Sequence, residues 1–207
     1  MKQESLPPDN FALIVTLFEA SLVLVALGLG WLFSYQPAAT FRPDIADAGW
    51  GVAATVPALA LFGICYVLPW GPFVRLARLL DERIVPMFAR CRVIELASIS
   101  IVAGIGEELL FRGLIQGGIA EAVGGTDGIW IGLVVGSLVF GLTHAVSPMY
   151  ALLTTLIGFY LGWLWISTGN LICPMMTHAV YDFVAMVYLV KVRRRGSEDT
   201  NCDDYSD

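Results

Sequence analysis

Long apolar stretches alternate with short polar ones along this chain, and several of them reach the ~18–20 residues that cross a bilayer as a helix. The pattern predicts six spans, at residues 11–33, 49–68, 93–122, 129–146, 149–167 and 171–190. Pro57 should kink the second span, because its ring interrupts the hydrogen bonding of a helix. A turn is expected at residues 124–128, between the third and fourth spans.

Residues 69–92 follow a different pattern. Phe73, Leu76, Ala77 and Leu80 fall on one helical face, and charged residues occupy the other positions. This spacing indicates an amphipathic helix that lies at the membrane interface. The expected fold class is therefore an all-α integral membrane protein, a bundle of about six transmembrane helices plus one interfacial amphipathic helix.

The chain divides into three parts of one membrane domain. Residues 1–92 hold two spans and the interfacial helix, residues 93–190 hold the remaining spans, and residues 191–207 form a basic-then-acidic tail that we expect to be disordered. Arginines concentrate between the second and third spans and after the sixth. The positive-inside rule makes that side cytoplasmic. We expect a multi-pass protein of the cell's inner (plasma) membrane with both termini in the cytoplasm.

Composition agrees with a membrane protein, since 57% of the 207 residues are hydrophobic and 14% are charged. The net charge of −6 and the lack of a basic stripe argue against nucleic acid as a partner. The cysteines show no paired spacing, and Cys65, Cys91 and Cys173 are expected to be small core residues. The N-terminal residues lack a basic region of the kind that precedes a cleaved signal, so we expect the first span to be retained.

Residues 106–113, Gly-Glu-Glu-Leu-Leu-Phe-Arg-Gly, interrupt the apolar pattern most sharply. Each charge at such depth costs roughly 2.5–3.5 kcal/mol on insertion scales. Glu108 and Arg112 lie four residues apart, about 40° around a helix axis, and should form an ion pair. Glu107 points about 100° away from Glu108 and has no local counter-ion. That carboxylate is the candidate general base.

The two histidines of the chain lie in the later spans. His144 follows Phe140 by four residues, and Asp182 follows His178 by four, so each pair shares a helix face. Two imidazoles and a free carboxylate could activate a water against a carbonyl, or could bind a divalent metal such as zinc. The sequence contains no HExxH, no Gly-x-Gly-Asp pair and no Gly-x-Ser-x-Gly. The chemistry that fits is a glutamate-based site.

Two further features concern packing. Glu19 interrupts the first span, and we expect its carboxylate to be hydrogen-bonded inside the bundle. Three pairs of glycines four residues apart predict that the third, fourth and fifth spans pack closely. These pairs are Gly113–Gly117, Gly132–Gly136 and Gly158–Gly162. Counting the helical rise from the cytoplasmic side places Glu107 and His178 at one depth and His144 nearer the cytoplasmic surface.

Three motifs follow one another on successive helices. They are Glu107-Glu108-x-x-x-Arg112, then Phe140-x-x-x-His144, then His178-x-x-x-Asp182. In this order they resemble the CAAX-protease and bacteriocin-processing family (CPBP, or Abi), a family of glutamate-dependent intramembrane endopeptidases. The resemblance covers about residues 93–185.

The resemblance implies a role for each matching position. Glu107 and His144 would hold and activate the attacking water, and His178 with position 182 would stabilise the oxyanion. The other motif residues, Glu108, Arg112 and Phe140, would support them. This chain has Asp182 where the best-known members have Asn, so either the carboxyl group is protonated or it takes another role, orienting His178 or ligating a metal. The metal ligands, if a metal takes part, would be Glu107, His144 and His178.

The expected function is hydrolysis of a peptide bond in a membrane-associated protein or peptide. CAAX-type peptides, C-terminal sorting signals and bacteriocin-like peptides are the substrate classes that the resemblance implies. The first alternative is a non-catalytic membrane scaffold or bacteriocin-immunity protein of the same fold. The second is an ion-coupled transporter that uses the same buried charges, although the chain shows no inverted repeat. The sequence gives no oligomeric state.

Overall fold

The computed structural model describes Pro8 and residues 10–193, and these residues form helices joined by short turns, with no strand among them. Of the expected C-terminal tail, residues 191–193 continue the last helix, which corrects that part of the prediction. The helix continues past Val190 in π-helical form. The rest of the tail and Cys202 lie outside the described residues.

The helices are numbered in chain order. They are α1 Phe11–Leu32, α2 Ile45–Ala53, α3 Thr55–Val67, α4 Gly71–Leu79, α5 Val85–Phe88, α6 Val93–Glu108, α7 Gly117–Val123, α8 Gly125–Thr143, α9 Pro148–Thr168 and α10 Ile172–Val187. Three π-helical segments connect or extend them. Leu80–Ile84 joins α4 to α5, Leu109–Gln116 joins α6 to α7, and Tyr188–Arg193 extends α10.

The predicted fold class, an all-α integral membrane protein, is confirmed. Within the described residues, five helical stretches are long and apolar enough to cross a bilayer: Phe11–Leu32, Ile45–Val67, Gly125–Thr143, Pro148–Thr168 and Ile172–Val192. The predicted third span is helical without a break from residue 93 to residue 123. It packs against α1, α8 and α10, which are all among those five stretches. The chain is an integral multi-pass membrane protein built from helices.

The second span is broken where Pro57 predicts a kink. Helix α2 ends at Ala53 and α3 begins at Thr55. Proline lacks an N–H, and its ring clashes with the carbonyl of the residue four positions earlier, which here is Ala53. The hydroxyl of Tyr160 on α9 donates a hydrogen bond of 2.8 Å to the Ala54 carbonyl at this break. The interruption is therefore tied into the bundle.

The amphipathic segment forms α4, a π-helical turn and α5. Leu76 and Leu80 are buried, while Arg75 and Arg78 are exposed. The segment contacts α3 and α9 through its apolar face. Its helical character and its amphipathic pattern agree with the prediction.

Glycines set the distances between the central helices, and one of the three predicted pairs faces an unexpected neighbour. A Cβ at Gly158 would lie 3.1 Å from the Cα of Ser137 on α8, so α8 and α9 are in close contact there. A Cβ at Gly132 would likewise lie too close to the carbonyl oxygen of Gln116. Gly113, in contrast, faces the Pro37 carbonyl in the connection between α1 and α2. Its partner Gly117 faces Tyr35 of the same connection and also the Trp165 ring of α9, at 3.1 Å.

Two smaller predictions have mixed outcomes. Helix α8 begins at Gly125, so the expected turn at residues 124–128 shrinks to Gly124, whose positive φ of 75° suits a residue without a Cβ. Cys65, Cys91 and Cys173 are buried and unpaired, as predicted.

Candidate functional site

Two glycines bring α6 against its neighbours where the carboxylates lie. A Cβ at Gly104 would lie 2.9 Å from the Ala179 Cβ on α10, and a Cβ at Gly106 would lie 2.5 Å from the Glu19 carbonyl oxygen on α1. Two residues of a helix correspond to a rotation of about 200°, so the two glycines face nearly opposite sides of α6. Helix α6 is therefore held between α1 and α10, and Glu107 and Glu108 follow at this level, both buried.

The predicted ion pair between Glu108 and Arg112 is confirmed. Arg112 Nη1 lies 2.6 Å from Glu108 Oε1, and both side chains are almost fully buried, at 1% and 0% exposure. His178 on α10 places its Nδ1 2.8 Å from the same oxygen. One carboxylate oxygen thus faces two donors from two helices. Such a buried pair is costly to break, because the remaining partner would stay buried as an uncompensated charge.

Arg112 also fixes the position of α9. Its Nη2 donates a hydrogen bond of 3.0 Å to the Gly158 carbonyl. One turn later, Gln116 Nε2 donates a hydrogen bond of 3.2 Å to the Gly162 carbonyl. Sequence reasoning missed Gln116, although a second polar residue four positions after Arg112 in an apolar segment was a usable signal. The two contacts form a ladder between the π-helical segment and the backbone of α9.

Glu107 faces His144, the residue that caps the C-terminus of α8. The His144 Nε2 lies 3.6 Å from Glu107 Oε2, which is beyond direct hydrogen-bonding distance. Glu107 Oε2 is buried and accepts no hydrogen bond from the described residues. His144 Nδ1 lies 2.9 Å from the Phe140 carbonyl, and a Nδ1–H that donates there leaves Nε2 as the acceptor facing Glu107. A water between the two groups would find a partner on each side.

His178 lies between two carboxylates. Its Nδ1 contacts Glu108, and its Nε2 lies 3.4 Å from Asp182 Oδ2, one helical turn further along α10. The ring is 5% exposed. Both ring nitrogens are thus engaged, and a ring that donates from both carries a positive charge.

Phe140 packs at the centre of these groups. Its ring centroid is 4.6 Å from the ring of His144 and 5.9 Å from the ring of His178. The guanidinium carbon of Arg112 lies 4.5 Å from the same centroid, which is a cation–π geometry. Phe111 completes an edge-to-face contact at 5.1 Å. The aromatic ring therefore holds both histidines and the arginine in fixed relation.

A cavity opens next to these side chains, between α3, α4 and helices α8 to α10. His144, His178 and Asp182 contribute to its lining. Most of the rest is apolar and includes Leu61, Phe62, Leu76, Leu80, Leu153 and Ile157. An extended apolar peptide or chain could lie here with its polar backbone against the histidines.

The structure brings together every residue predicted for the site. The contacts described above connect the charged and aromatic side chains of α6, α8 and α10 with one another. Glu19 departs from its prediction, because its Oε2 is buried and accepts no hydrogen bond from the described part of the chain. The backbone of Glu19 lies where α1 comes closest to Gly106 on α6.

The predicted metal ligands do not form a three-ligand set in this arrangement. Among residues 10–193, no group of three or more His, Cys, Asp and Glu side chains is placed to hold a metal ion. Both ring nitrogens of His178 face carboxylates. Of the three predicted ligands, Glu107 and His144 therefore remain to bind a metal. A divalent metal stays a prediction from the sequence, and no catalytic step below depends on one.

Comparison with known proteins supports the motif reading. Residues 89–184 match the family model described as type II CAAX prenyl endopeptidase, Rce1-like. The chain is 28% identical over 113 residues to the uncharacterized protein YpbD of Bacillus subtilis (strain 168), covering 52% of this chain and 53% of that protein. The chain thus spans about half the length of this curated relative. No solved structure gives a significant match. The matched range contains all three motifs, and the resemblance stated from the sequence is confirmed.

Proposed function

We propose that this chain, whose residues 89–184 place it with the Rce1-like CAAX endopeptidases, is an intramembrane endopeptidase that cleaves a membrane-associated protein or peptide. The family match supports a peptidase of this general type. One observation carries the finer proposal: the buried Oε2 of Glu107 has no hydrogen-bond partner among the described residues and lies 3.6 Å from His144 Nε2.

In the proposed reaction, a water molecule lies between Glu107 and His144. Its oxygen attacks the carbonyl carbon of the scissile peptide, and Glu107 accepts the proton that the water loses. The new C–O bond forms as the carbonyl π electrons move to the oxygen, which becomes an oxyanion. When the intermediate collapses, the C–N bond breaks and Glu107 returns the proton to the leaving amine.

We assign charge stabilisation to His178 and an orienting role to Asp182. An ionised carboxylate can accept hydrogen bonds but cannot donate one, so Asp182 cannot take the donor role of an amide. It can hold the His178 ring through Nε2 while Glu108 holds it through Nδ1. A fixed imidazolium beside the scissile carbonyl stabilises developing negative charge. Glu108 and Arg112 act in this scheme as the support that keeps the ring in place.

The substrate class and the location belong to the same proposal. CAAX-type peptides, C-terminal sorting signals and bacteriocin-like peptides are the candidates, and each would present a chain to the apolar cavity. The distribution of arginines favours an inner-membrane protein with cytoplasmic termini.

Glu107→Gln tests the proposal, because it removes the base and preserves the shape of the side chain. Membrane proteomes of cells that carry the wild type or the variant are compared, and the uncleaved substrate should accumulate with the variant. Glu121→Gln is the matched control, since Glu121 lies exposed on α7 of the same continuous helix. A Glu107→Gln protein that folds normally and leaves every membrane protein processed as in wild type would refute the proposal, and would favour the scaffold alternative.

A further inference from the structure

Tyr150 enters the cavity from the corner where His144 ends α8. It is the third residue of α9, and only five residues lie between it and His144. The Ser147 side chain caps α9 and accepts a hydrogen bond of 3.2 Å from the Tyr150 amide, which fixes this turn. Tyr150 lines the same cavity as His144, His178 and Asp182. Its side chain is therefore held beside the proposed scissile bond by local structure.

The hydroxyl of Tyr150 is uncommitted, in contrast to that of Tyr160. It forms no hydrogen bond with the described residues, and its electrostatic neighbours are Asp182 and Glu107. Tyr160 donates its hydroxyl proton to the Ala54 carbonyl. The strongest electrostatic neighbours of Tyr181 are Asp182 and Tyr150, followed by Cys65 and Tyr66 on α3. Tyr150 thus combines a hydroxyl that has no partner among the described residues with proximity to the proposed base.

The proposed reaction needs a donor that the motif residues supply only in part. An oxyanion is stabilised by preorganised donors at about 2.7–3.1 Å, usually more than one. Asp182 is an acceptor when ionised, and His178 directs Nδ1 at Glu108. The site therefore offers one imidazole N–H, shared with Asp182, and lacks a second donor among the motif residues.

We propose that the Tyr150 hydroxyl donates a hydrogen bond to the oxyanion formed when water attacks the scissile carbonyl. The inference rests on the proposed endopeptidase function. The phenol keeps its proton throughout, so the step adds a hydrogen bond in the transition state and requires no proton transfer. The scissile carbonyl oxygen then points toward Tyr150 and His178, and its carbon faces the water held by Glu107 and His144.

Tyr150→Phe removes this hydroxyl and preserves the ring. The assay uses purified protein in liposomes, with the membrane protein that accumulates in Glu107→Gln cells as the substrate. Loss of one oxyanion donor typically lowers kcat by roughly 10²-fold. We expect a loss of this size with an unchanged KM, because the contact forms only in the transition state. Tyr188→Phe, on the extension of α10 outside the cavity, should keep the wild-type kcat.

The outcomes separate this inference from the proposed function. Cleavage that is lost in Glu107→Gln but runs at the wild-type rate in Tyr150→Phe overturns the role of Tyr150 and leaves the endopeptidase intact. A comparable loss of kcat in Tyr181→Phe, with Tyr150→Phe unaffected, assigns the donor to Tyr181 and also overturns it. Equal processing in wild-type and Glu107→Gln cells removes the proposed function and this inference together.

Discussion

Replacing Glu108 by leucine probes the buried ion pair that organises the centre of the bundle. The variant removes the carboxylate that faces both Arg112 Nη1, at 2.6 Å, and His178 Nδ1, at 2.8 Å. Arg112 would keep its hydrogen bond to the Gly158 carbonyl and its contact with the Phe140 ring. Its charge would have no anion in direct contact, because it is 1% exposed and water cannot reach it.

The expected magnitude follows from this geometry. Removing one partner of a buried pair costs about 3–5 kcal/mol, chiefly because the other charge stays buried and uncompensated. For a chain of this size, 1 kcal/mol shifts the Tm by about 2–4 °C. The Glu108→Leu protein should therefore melt about 6–20 °C below the wild type. Arg112→Met should lose a similar amount, since it leaves the Glu108 carboxylate with His178 as its sole donor.

The double variant distinguishes a charge effect from a packing effect. Replacing a buried pair with apolar residues of similar volume is often neutral or stabilising. Glu108→Leu combined with Arg112→Met should therefore recover most of the loss, though His178 Nδ1 still lacks its partner. Thermal unfolding in detergent, followed by circular dichroism, gives the Tm of each protein. The control is Arg92→Ala, which breaks the exposed pair with Glu95, keeps the backbone N–H of residue 92 bonded to Glu95 and should leave the Tm almost unchanged.

Additive losses in the double variant would contradict this reasoning, because they would mean that the two side chains contribute independently. A Glu108→Leu protein with the yield and Tm of the wild type would contradict it more directly.

Three other substitutions have defined outcomes. Gly162→Leu should lower the free energy of unfolding by about 1–3 kcal/mol, because even a Cβ would lie 2.5 Å from Gln116 Oε1; the Tm in detergent measures it. Glu19→Met should raise the Tm, because an unsatisfied buried polar group costs about 1–3 kcal/mol, and an unchanged or lower Tm would indicate a donor to Glu19. Asp182→Asn should keep cleavage because an amide oxygen still accepts from His178, whereas Asp182→Ala should slow it; initial rates on the liposome substrate compare the two.

Local spacing predicted the parts of the site that lie on one helix. Glu108 and Arg112 share a face at a separation of four residues, and so do His178 and Asp182, so the periodicity of the helix was sufficient. The high cost of charge in an apolar span also marked the right segment. The π-helical segment from Leu109 to Gln116 was not predicted, since its apolar composition is equally compatible with an α-helix.

Contacts between helices were harder to predict, and the depth of His144 shows why. Counting from the cytoplasmic side placed it too near the surface, which is wrong, since its Nε2 lies 3.6 Å from Glu107. The depth of both residues is better counted from the turn that joins α7 to α8, which consists of the single residue Gly124. Glu107 lies 17 residues before that turn and His144 lies 20 after it, or about 25 Å and about 30 Å along their helices. The two therefore meet at a similar level, but the sequence alone did not show how tight the turn was.

Glu19 and Gln116 mark a second limit. A buried carboxylate and a buried amide look alike in a sequence, but Gln116 has a backbone partner on α9 and Glu19 has none among the described residues. Partners that are main-chain carbonyls carry no side-chain signature. They depend on how two helices are turned toward each other, which hydrophobic periodicity constrains weakly.

The ladder from Arg112 and Gln116 to α9 has a consequence for how this protein can evolve. Its acceptors are the carbonyls of Gly158 and Gly162, and no substitution can delete a carbonyl. Mutation can weaken the ladder from the α9 side only by adding bulk that pushes the two backbones apart. In a set of related sequences, the constraint on α9 should thus take the form of a ceiling on side-chain volume at two positions. No polar position on α9 should covary with Arg112 and Gln116 in such a set.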